Sequence, residues 1–349
     1  MHLKVIVEKS SQITHAFIIC NVICLFVVVH FAHKKTFIPP GTRLRYGFST
    51  APNCTRCSSV GIGKRMIRPT LHGIGNHLFY YSAIMYVAWL TGRRPCILSK
   101  SRDVLIKRVF DVDIPLVDIK TSGCPIYKFQ HHCCGVYDKR MKELVHISKN
   151  TTLELRGFFQ TWKYAEPIAM QLRQQLKFKN KITEFVTNFL STCVPPGWSK
   201  LEFVRVGIHV RRGDFFHKGP KQIGFNTADE WYLTQAMNYF VDRFPRIQFI
   251  VASDDISWCQ KHVNVSVFNN TNVNITFSVK HNAAQDLALL ATCNHTVMTT
   301  GSYSWWAAWL ANGIAVYYAN FPKRRSHLSR LYHSEEYYHP NWVGIDDVK

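Results

Sequence analysis

The chain has 349 residues, 47% of them hydrophobic, with 43 Lys and Arg against 22 Asp and Glu, a formal net charge of +21. Its apolar fraction is that of a globular chain rather than an unfolded one, and its length suffices for a large core divided into two lobes. The charge excludes a chain indifferent to anions, but it does not choose among nucleic acid, anionic lipid and sugar nucleotides.

From the start of the chain, Ala16 to Ala32 is a 17-residue apolar stretch broken by Asn21 and His30, with Lys9 before it and Lys34 and Lys35 after it. It is at the short end for a spanning helix, yet longer than a usual signal-peptide core and without a small-x-small cleavage site. Six Asn-x-Ser/Thr acceptors follow, at Asn53, Asn150, Asn264, Asn269, Asn274 and Asn294, and the three between Asn264 and Asn274 suggest a glycosylated surface loop. Nine of 11 cysteines lie beyond the apolar stretch; Cys54-x-x-Cys57 reads as a small disulfide loop, and the odd total leaves one thiol unpaired. Together these predict a single-pass membrane protein with tail 1–15, anchor 16–32 and its body in the secretory lumen. The basic flank after the anchor opposes the positive-inside tendency, so the orientation rests on sequons and cysteines. The lumenal setting sets nucleic acid aside as a partner.

Residues 33–65 carry Pro39-Pro40-Gly41 and Ala51-Pro52 without sustained periodicity, as a stem does. Beyond it, Ile67 to Leu71 is a short predicted strand. His72-Gly73-Ile74-Gly75-Asn76 turns into an apolar helix over 77–90 that Thr91-Gly92 ends, and a strand follows at Cys96 to Leu98. That turn can offer backbone N–H groups to a phosphate, and a purely structural turn explains it as well. Leu153 to Tyr164 combines a strand with an aromatic-polar run in which Gln160 and Lys163 are candidates for a sugar-binding wall. Ile168 to Phe189 reads as one helix, and Pro195-Pro196-Gly197 marks the boundary between lobes 66–200 and 201–349.

In the second lobe a half-buried strand from Phe203 to Val210 runs into Arg211-Arg212-Gly213-Asp214. Two adjacent guanidiniums at a strand's carboxyl end suit a forked, doubly charged anion, and Gly213 permits the turn that brings Asp214 back beside it. A surface salt bridge is the plainer explanation of such a pair. Next come a helix from Thr227, as N-cap, to Phe240 and a buried strand, Ile247 to Ala252, that ends in Ser253-Asp254-Asp255. After a helix over 256–262 come the sequon loop, a helix over 283–293 and a strand over 296–300. Gly301-Ser302-Tyr303-Ser304 leads into the Trp305 to Ala311 helix, and Ile314 to Tyr318 is the last predicted strand. Three strands thus end in polar loops that lead into helices, and a right-handed parallel sheet gathers those ends on one edge. Two Arg, several Asp and Ser hydroxyls at a helix N-terminus make an anion-binding device there.

These stretches resemble the membrane-bound α-1,2-fucosyltransferases. The likeness runs from about Arg68 to Trp342 through His72-Gly73-Ile74-Gly75-Asn76-His77-Leu78-Phe79, Gly157-Phe158-Phe159-Gln160 and His209-Val210-Arg211-Arg212-Gly213-Asp214. Ser253-Asp254-Asp255-Ile256-Ser257-Trp258-Cys259 and the block from Gln285-Asp286-Leu287 through Ser302-Tyr303-Ser304-Trp305-Trp306-Ala307-Ala308-Trp309 continue it. The resemblance implies an α/β, GT-B-like fold with two Rossmann-type lobes, GDP-fucose as donor, a galactose-terminated glycan as acceptor, inversion at the anomeric carbon, no metal ion and residence in the Golgi membrane. By position it implies that Arg211 stabilises the leaving diphosphate with Arg212 in support, and that His209 and Asp286 contact the nucleoside. It also implies that Asp254, Ser302, Tyr303 and Ser304 belong to the donor site, with Gly73, Gly75 and Asn76 closing over it. Lobe 66–200 becomes the acceptor side and 201–349 the GDP-fucose lobe. Asp214 is the candidate general base, and pinning its own loop is its other possible role. His72, His77, Thr300 and Ala307 stand where the family usually has Gly, Gln, Asn and Gly, and the first two bear on the acceptor. A glycan-binding relative without turnover and a sulfotransferase are the rivals. The first leaves Arg211 and Arg212 without use, and the second lacks its phosphate loop.

Overall fold

In the computed structural model, residues 58–62, 73–98, 104–117, 123–131, 134–199 and 203–346 are described. The predicted tail, anchor and Ile67 to Leu71 strand lie outside them, as do Asn53, Cys54 and Cys57. No helix among the described residues is long and apolar enough to cross a membrane.

The architecture is two all-parallel sheets. The first contains β1 (Ser59–Ile62), β2 (Arg94–Leu98), β3 (Leu116–Val117), β4 (Ile126–Gln130) and β5 (Thr152–Arg156), in the order β3-β2-β1-β5-β4. The second contains β6 (Val204–Val210), β7 (Ile247–Ser253), β8 (Val273–Phe277), β9 (His295–Met298), β10 (Ala315–Tyr318) and β11 (Val343–Ile345), ordered β11-β10-β9-β6-β7-β8. Numbered from β6, that second order is 3-2-1-4-5-6 reversed, the doubly wound dinucleotide-fold arrangement, and its direction switches between β6 and β9. β6 pairs with β7 from Val204↔Ile247 to Val210↔Ser253 and with β9 from Val206↔His295 to His209↔Met298. It is therefore central and buried from Val206 onward, more enclosed than the half-buried strand its sequence suggested.

Helices cover both sheets: α1 (Ile74–Thr91), α2 (Asn180–Thr192), α3 (Glu230–Val241), α4 (Ile256–His262), α5 (Ala283–Ala291) and α6 (Gly301–Ala311). α1 is apolar nearly all round and buried along most of its length, so it runs through the core rather than over the surface. Gly92, left-handed at φ 62°, ends it as the sequence predicts. The first lobe packs on the second through α1 and α6. The Phe79 ring lies 4.7 Å from Trp305 and 5.2 Å from Trp306, and one apolar core runs through both.

Several expectations are corrected. β1 lies within the stretch read as stem and sits in the interior of its sheet; four residues are too few for periodicity to show. The helix expected over 168–189 is broken: a short helix ends at Gln175, Phe178 bridges to Phe110, and α2 starts at Asn180. The N-cap of α3 is Asp229, whose carboxylate accepts from the Tyr232 N–H at 2.9 Å, rather than Thr227. Asn274 stands on edge strand β8 rather than in a loop, whereas Asn150, Asn264, Asn269 and Asn294 are exposed. β11 makes a further strand beyond the predicted last one. Cys193, Cys259 and Cys293 are all free thiols, two of them buried, so the expected single unpaired thiol is wrong. Cysteine burial in a core is as favourable as its pairing, and counting does not distinguish the two.

Candidate active site

The switch point of the second sheet opens between the ends of β6 and β9. Thr299 clamps those ends: its hydroxyl donates to the His209 carbonyl at 3.2 Å and accepts from the Arg211 N–H at 2.9 Å. The chain then turns at Gly213. A Cβ there would stand 2.5 Å from the Asp254 carboxylate, so any larger residue has to push that carboxylate off the Arg-Arg turn.

The two arginines have different surroundings. Arg212 is held on every side: its N–H donates to Asp254 Oδ1 at 2.8 Å, its Nε to Asp255 Oδ2 at 3.1 Å, and its guanidinium stacks on the Trp258 ring at 3.6 Å. Asp255 also caps α4 by accepting from the Trp258 N–H, which fixes the indole under Arg212. Arg211 is a third exposed and aims its guanidinium between Asp254, 2.6 Å away, and Asp214. Asp254 thus positions both arginines, and Asp214, more than half exposed, is ion-paired to Arg211 rather than accepting backbone N–H groups. Arg211 is thus the more exposed guanidinium, at 33% against 13% for Arg212.

Beside them α6 begins. Gly301 takes φ 90°, and Ser302, Tyr303 and Ser304 form its first turn rather than a loop before it. Thr300, its N-cap, makes no side-chain cap, and its buried hydroxyl has no partner among the described residues. The Ser304 hydroxyl lies 3.0 Å from the Thr300 carbonyl and 2.5 Å from His209 Nδ1. That hydroxyl has one proton for the two contacts, and the His209 tautomer follows from which of them it serves. Burial, aided by Arg211, drives the His209 pKa down to about 3, so the ring is neutral. The Tyr303 ring lies 4.6 Å from His209, and its hydroxyl donates to the Ala283 carbonyl at 2.6 Å, at the start of α5. Asp286, in the first turn of α5, accepts from Ser278, and burial raises its pKa against that bond and the neighbouring His281. His209, Arg211, Tyr303 and Asp286 are therefore linked along one sheet edge.

From the first lobe, α1 brings its N-terminus to the same place. Its N-cap, Gly73, has no side-chain cap, and neither α1 nor α6 has an acidic residue in its first turn. A Cβ on Gly75 would lie 2.5 Å from the Ser302 and Tyr303 backbone, so Gly75 is the point where the two helices touch. Gly73, Gly75 and Asn76 are thus helix start and packing contact, not an open loop over the site. Asn76 accepts from Gln160 at 2.7 Å, and Gln160 accepts from the Tyr332 hydroxyl at 2.7 Å. Gln160 is buried, with both ends of its amide bonded, and Lys163 pairs with Glu336 at 2.8 Å, so neither forms the expected sugar-binding wall. His77 is buried inside α1; His72 lies outside the described residues. The clamp by Thr299 and the stack on Trp258 escaped the sequence reading. Trp258 stands in a motif already singled out, but only the fold shows that it faces Arg212.

Comparison with known proteins accords with this geometry. A family model described as glycosyl transferase family 11 matches residues 52–346. The chain is 31% identical over 302 residues to Mus musculus galactoside alpha-(1,2)-fucosyltransferase 1, covering 85% of this chain and 76% of that protein. It is 30% identical over 314 residues to the Homo sapiens protein of the same name, covering 89% and 82%. It is 28% identical over 276 residues to Sus scrofa galactoside alpha-(1,2)-fucosyltransferase 2, covering 78% and 77%. Among solved structures, an Arabidopsis thaliana FUT1 mutant in complex with GDP superposes with a TM-score of 0.51 at 13% identity, covering 81% of this chain and 75% of that one, a likeness of fold. By a family match that takes in every strand of both sheets, this chain belongs to glycosyl transferase family 11.

Proposed function

We infer that this protein moves L-fucose from GDP-fucose to the 2-hydroxyl of a terminal galactose on a glycan. One observation carries the reading: two uncapped helix N-termini, those of α1 and α6, meet beside Arg211 at the switch point of a doubly wound sheet. Unsatisfied N–H groups and a preorganised guanidinium are what a departing diphosphate requires, because its new charge must be met where it develops. The naming of the family's relatives as galactoside alpha-(1,2)-fucosyltransferases supports the donor and the acceptor.

In the reaction the galactose 2-hydroxyl oxygen attacks the fucose anomeric carbon from the face opposite the diphosphate. The bond from that carbon to the diphosphate oxygen breaks, inverting the centre, and GDP leaves with the electron pair. Arg211 and the first-turn N–H groups at Ser302, Tyr303 and Ser304 stabilise it, so the protein's own cations serve and no metal ion is required. Asp214 takes the hydroxyl proton; Asp254 and Asp255 are each engaged with a backbone N–H, which leaves Asp214 as the exposed carboxylate on Arg211. Asp286 and His209 contact the nucleoside. The body lies in the Golgi lumen behind the Ala16 to Ala32 anchor and carries N-glycans at Asn53, Asn150, Asn264, Asn269 and Asn274, a reading supported by the exposure of Asn150, Asn264 and Asn269.

The test is transfer by the full chain in detergent, with EDTA present, from GDP-fucose to a galactose-terminated oligosaccharide. We expect stoichiometric GDP release and fucose on the galactose 2-hydroxyl. GDP binding without transfer to any acceptor would replace the enzyme with a glycan-binding relative, and activity only after added divalent metal would remove the metal-free mechanism.

A further inference from the structure

Residues 215–228 and 319–334 contain no Asp or Glu, yet between them they carry Lys218, Lys221, Lys323, Arg324, Arg325 and Arg330. The fold joins the two segments. The Lys323 N–H donates to the Gly224 carbonyl at 2.9 Å, Asn226 donates to the Asn320 carbonyl at 2.5 Å, and the rings of Phe215 and Phe225 pack against Phe321. The result is a cationic wall. Lys218, Lys221, Lys323 and Arg325 are exposed, and none of the four pairs with a carboxylate among the described residues; of the six, Arg324 alone has a carboxylate partner there, Asp346.

This wall adjoins the reaction centre. Phe216 is two residues beyond Asp214, and its ring has the Arg212 guanidinium 4.6 Å from its centre and the Lys221 ammonium 4.7 Å from it. Phe215, next to it, lies under Arg211 at 5.4 Å. The three aspartates here, Asp214, Asp254 and Asp255, all face Arg211 or Arg212, so they do not offset the wall's charge. The two leaving-group phosphates are already provided for by Arg211 and the helix N-termini, and the cations beyond Phe216 have no ligand in that scheme.

We propose that these two segments form an anion subsite for the acceptor, so that the preferred acceptor glycan carries a sulfate or carboxylate close to its reacting galactose. The proposal rests on the fucosyl-transfer reading of the adjoining site. An exposed cation is worth roughly two- to fivefold in binding, and several acting on one anion combine to about tenfold or more, an effect that salt weakens.

The experiment compares kcat/KM of the full chain for a neutral galactose-terminated oligosaccharide, a sulfated one and one bearing a neighbouring uronic or sialic acid, at low and at physiological salt. We expect one or both acidic acceptors to be favoured about tenfold, through KM, with the preference narrowing as salt rises. K221E and K323E should each lower kcat/KM for the acidic acceptor severalfold more than for the neutral one, with the KM for GDP-fucose unmoved. Equal use of neutral and acidic acceptors would overturn the subsite while leaving the transferase intact. A rise in the KM for GDP-fucose in both variants would also overturn it, by assigning the wall to the donor. No transfer to any acceptor would overturn the subsite and the fucosyl-transfer reading together.

Discussion

Arg211 and Arg212 are neighbours in sequence and opposites in role. The indole of Trp258 and the carboxylate of Asp255 hold Arg212 still, so its charge serves to shape the turn. Arg211, held by Asp254 yet a third exposed, is the one of the two that stays open to solvent. Arg211→Ala should reduce kcat by roughly 100- to 1,000-fold, the usual cost of losing one preorganised donor to developing charge. The thermal transition should move little, and a correctly folded variant of near-normal turnover would refute the assignment. His209 makes a second prediction. Its pKa is depressed from the ordinary 6.5 to about 3, so below pH 6.5 the unfolded chain binds a proton that the folded chain refuses. The neutral ring's contribution is complete above pH 6.5 and is lost as pH falls towards 3. Between those limits the stability of the natural protein should fall about 1.4 kcal/mol per pH unit faster than that of His209→Gln, measured by urea titration. Parallel curves would show the histidine to be charged or exposed.

At the scale of elements, two helix N-termini, those of α1 and α6, join the turns that follow β6 and β7. α1 and α6 can meet only because Gly75 lacks a side chain. Gly75→Ala would set a methyl against the Ser302–Tyr303 backbone and push the two N-termini apart. We expect a loss of about 1–3 kcal/mol in stability, typical of overpacking, together with a clear weakening of GDP binding by calorimetry. Stability lost without any change in GDP affinity would separate the helix contact from the donor site. The sequence showed that this glycine turn leads into an apolar helix. It did not show that the glycine is there for another helix more than two hundred residues away, because close approach leaves no periodic mark.

The whole molecule is tied together by its last segment. After β10 the chain leaves the second sheet, crosses the first lobe and returns as β11. On the way it accepts from Trp162 Nε1 at the Glu335 carbonyl at 3.0 Å and from Trp305 Nε1 at the Tyr337 carbonyl at 2.7 Å. Glu336 meanwhile takes Lys163 and the Tyr137 N–H, both at 2.8 Å. A chain ending at Arg330 would leave those donors unpaired, each at a cost of about 1–3 kcal/mol where buried. It should lose cooperative unfolding and soluble yield, not merely activity; a folded truncated protein with sharp melting would show the lobes to be independent of the crossing.

Read alone, the residues determined the α/β class and the parallel second sheet, and they put Arg211-Arg212-Gly213-Asp214 and Gly301 to Ser304 behind buried strands whose ends share an edge. They also determined the charge, which calls for an anionic ligand without choosing among nucleic acid, anionic lipid and sugar nucleotides. What the tertiary structure decided are pairings across distance. These include which arginine is braced by Trp258 and which is free to act, that Gln160 serves as an internal strut, that Gly75 is a contact, and that two acid-free segments a hundred residues apart form one wall. Strand and helix periods are local properties of a chain and can be read from it. Which surfaces come within a bond length is settled only when the whole core closes.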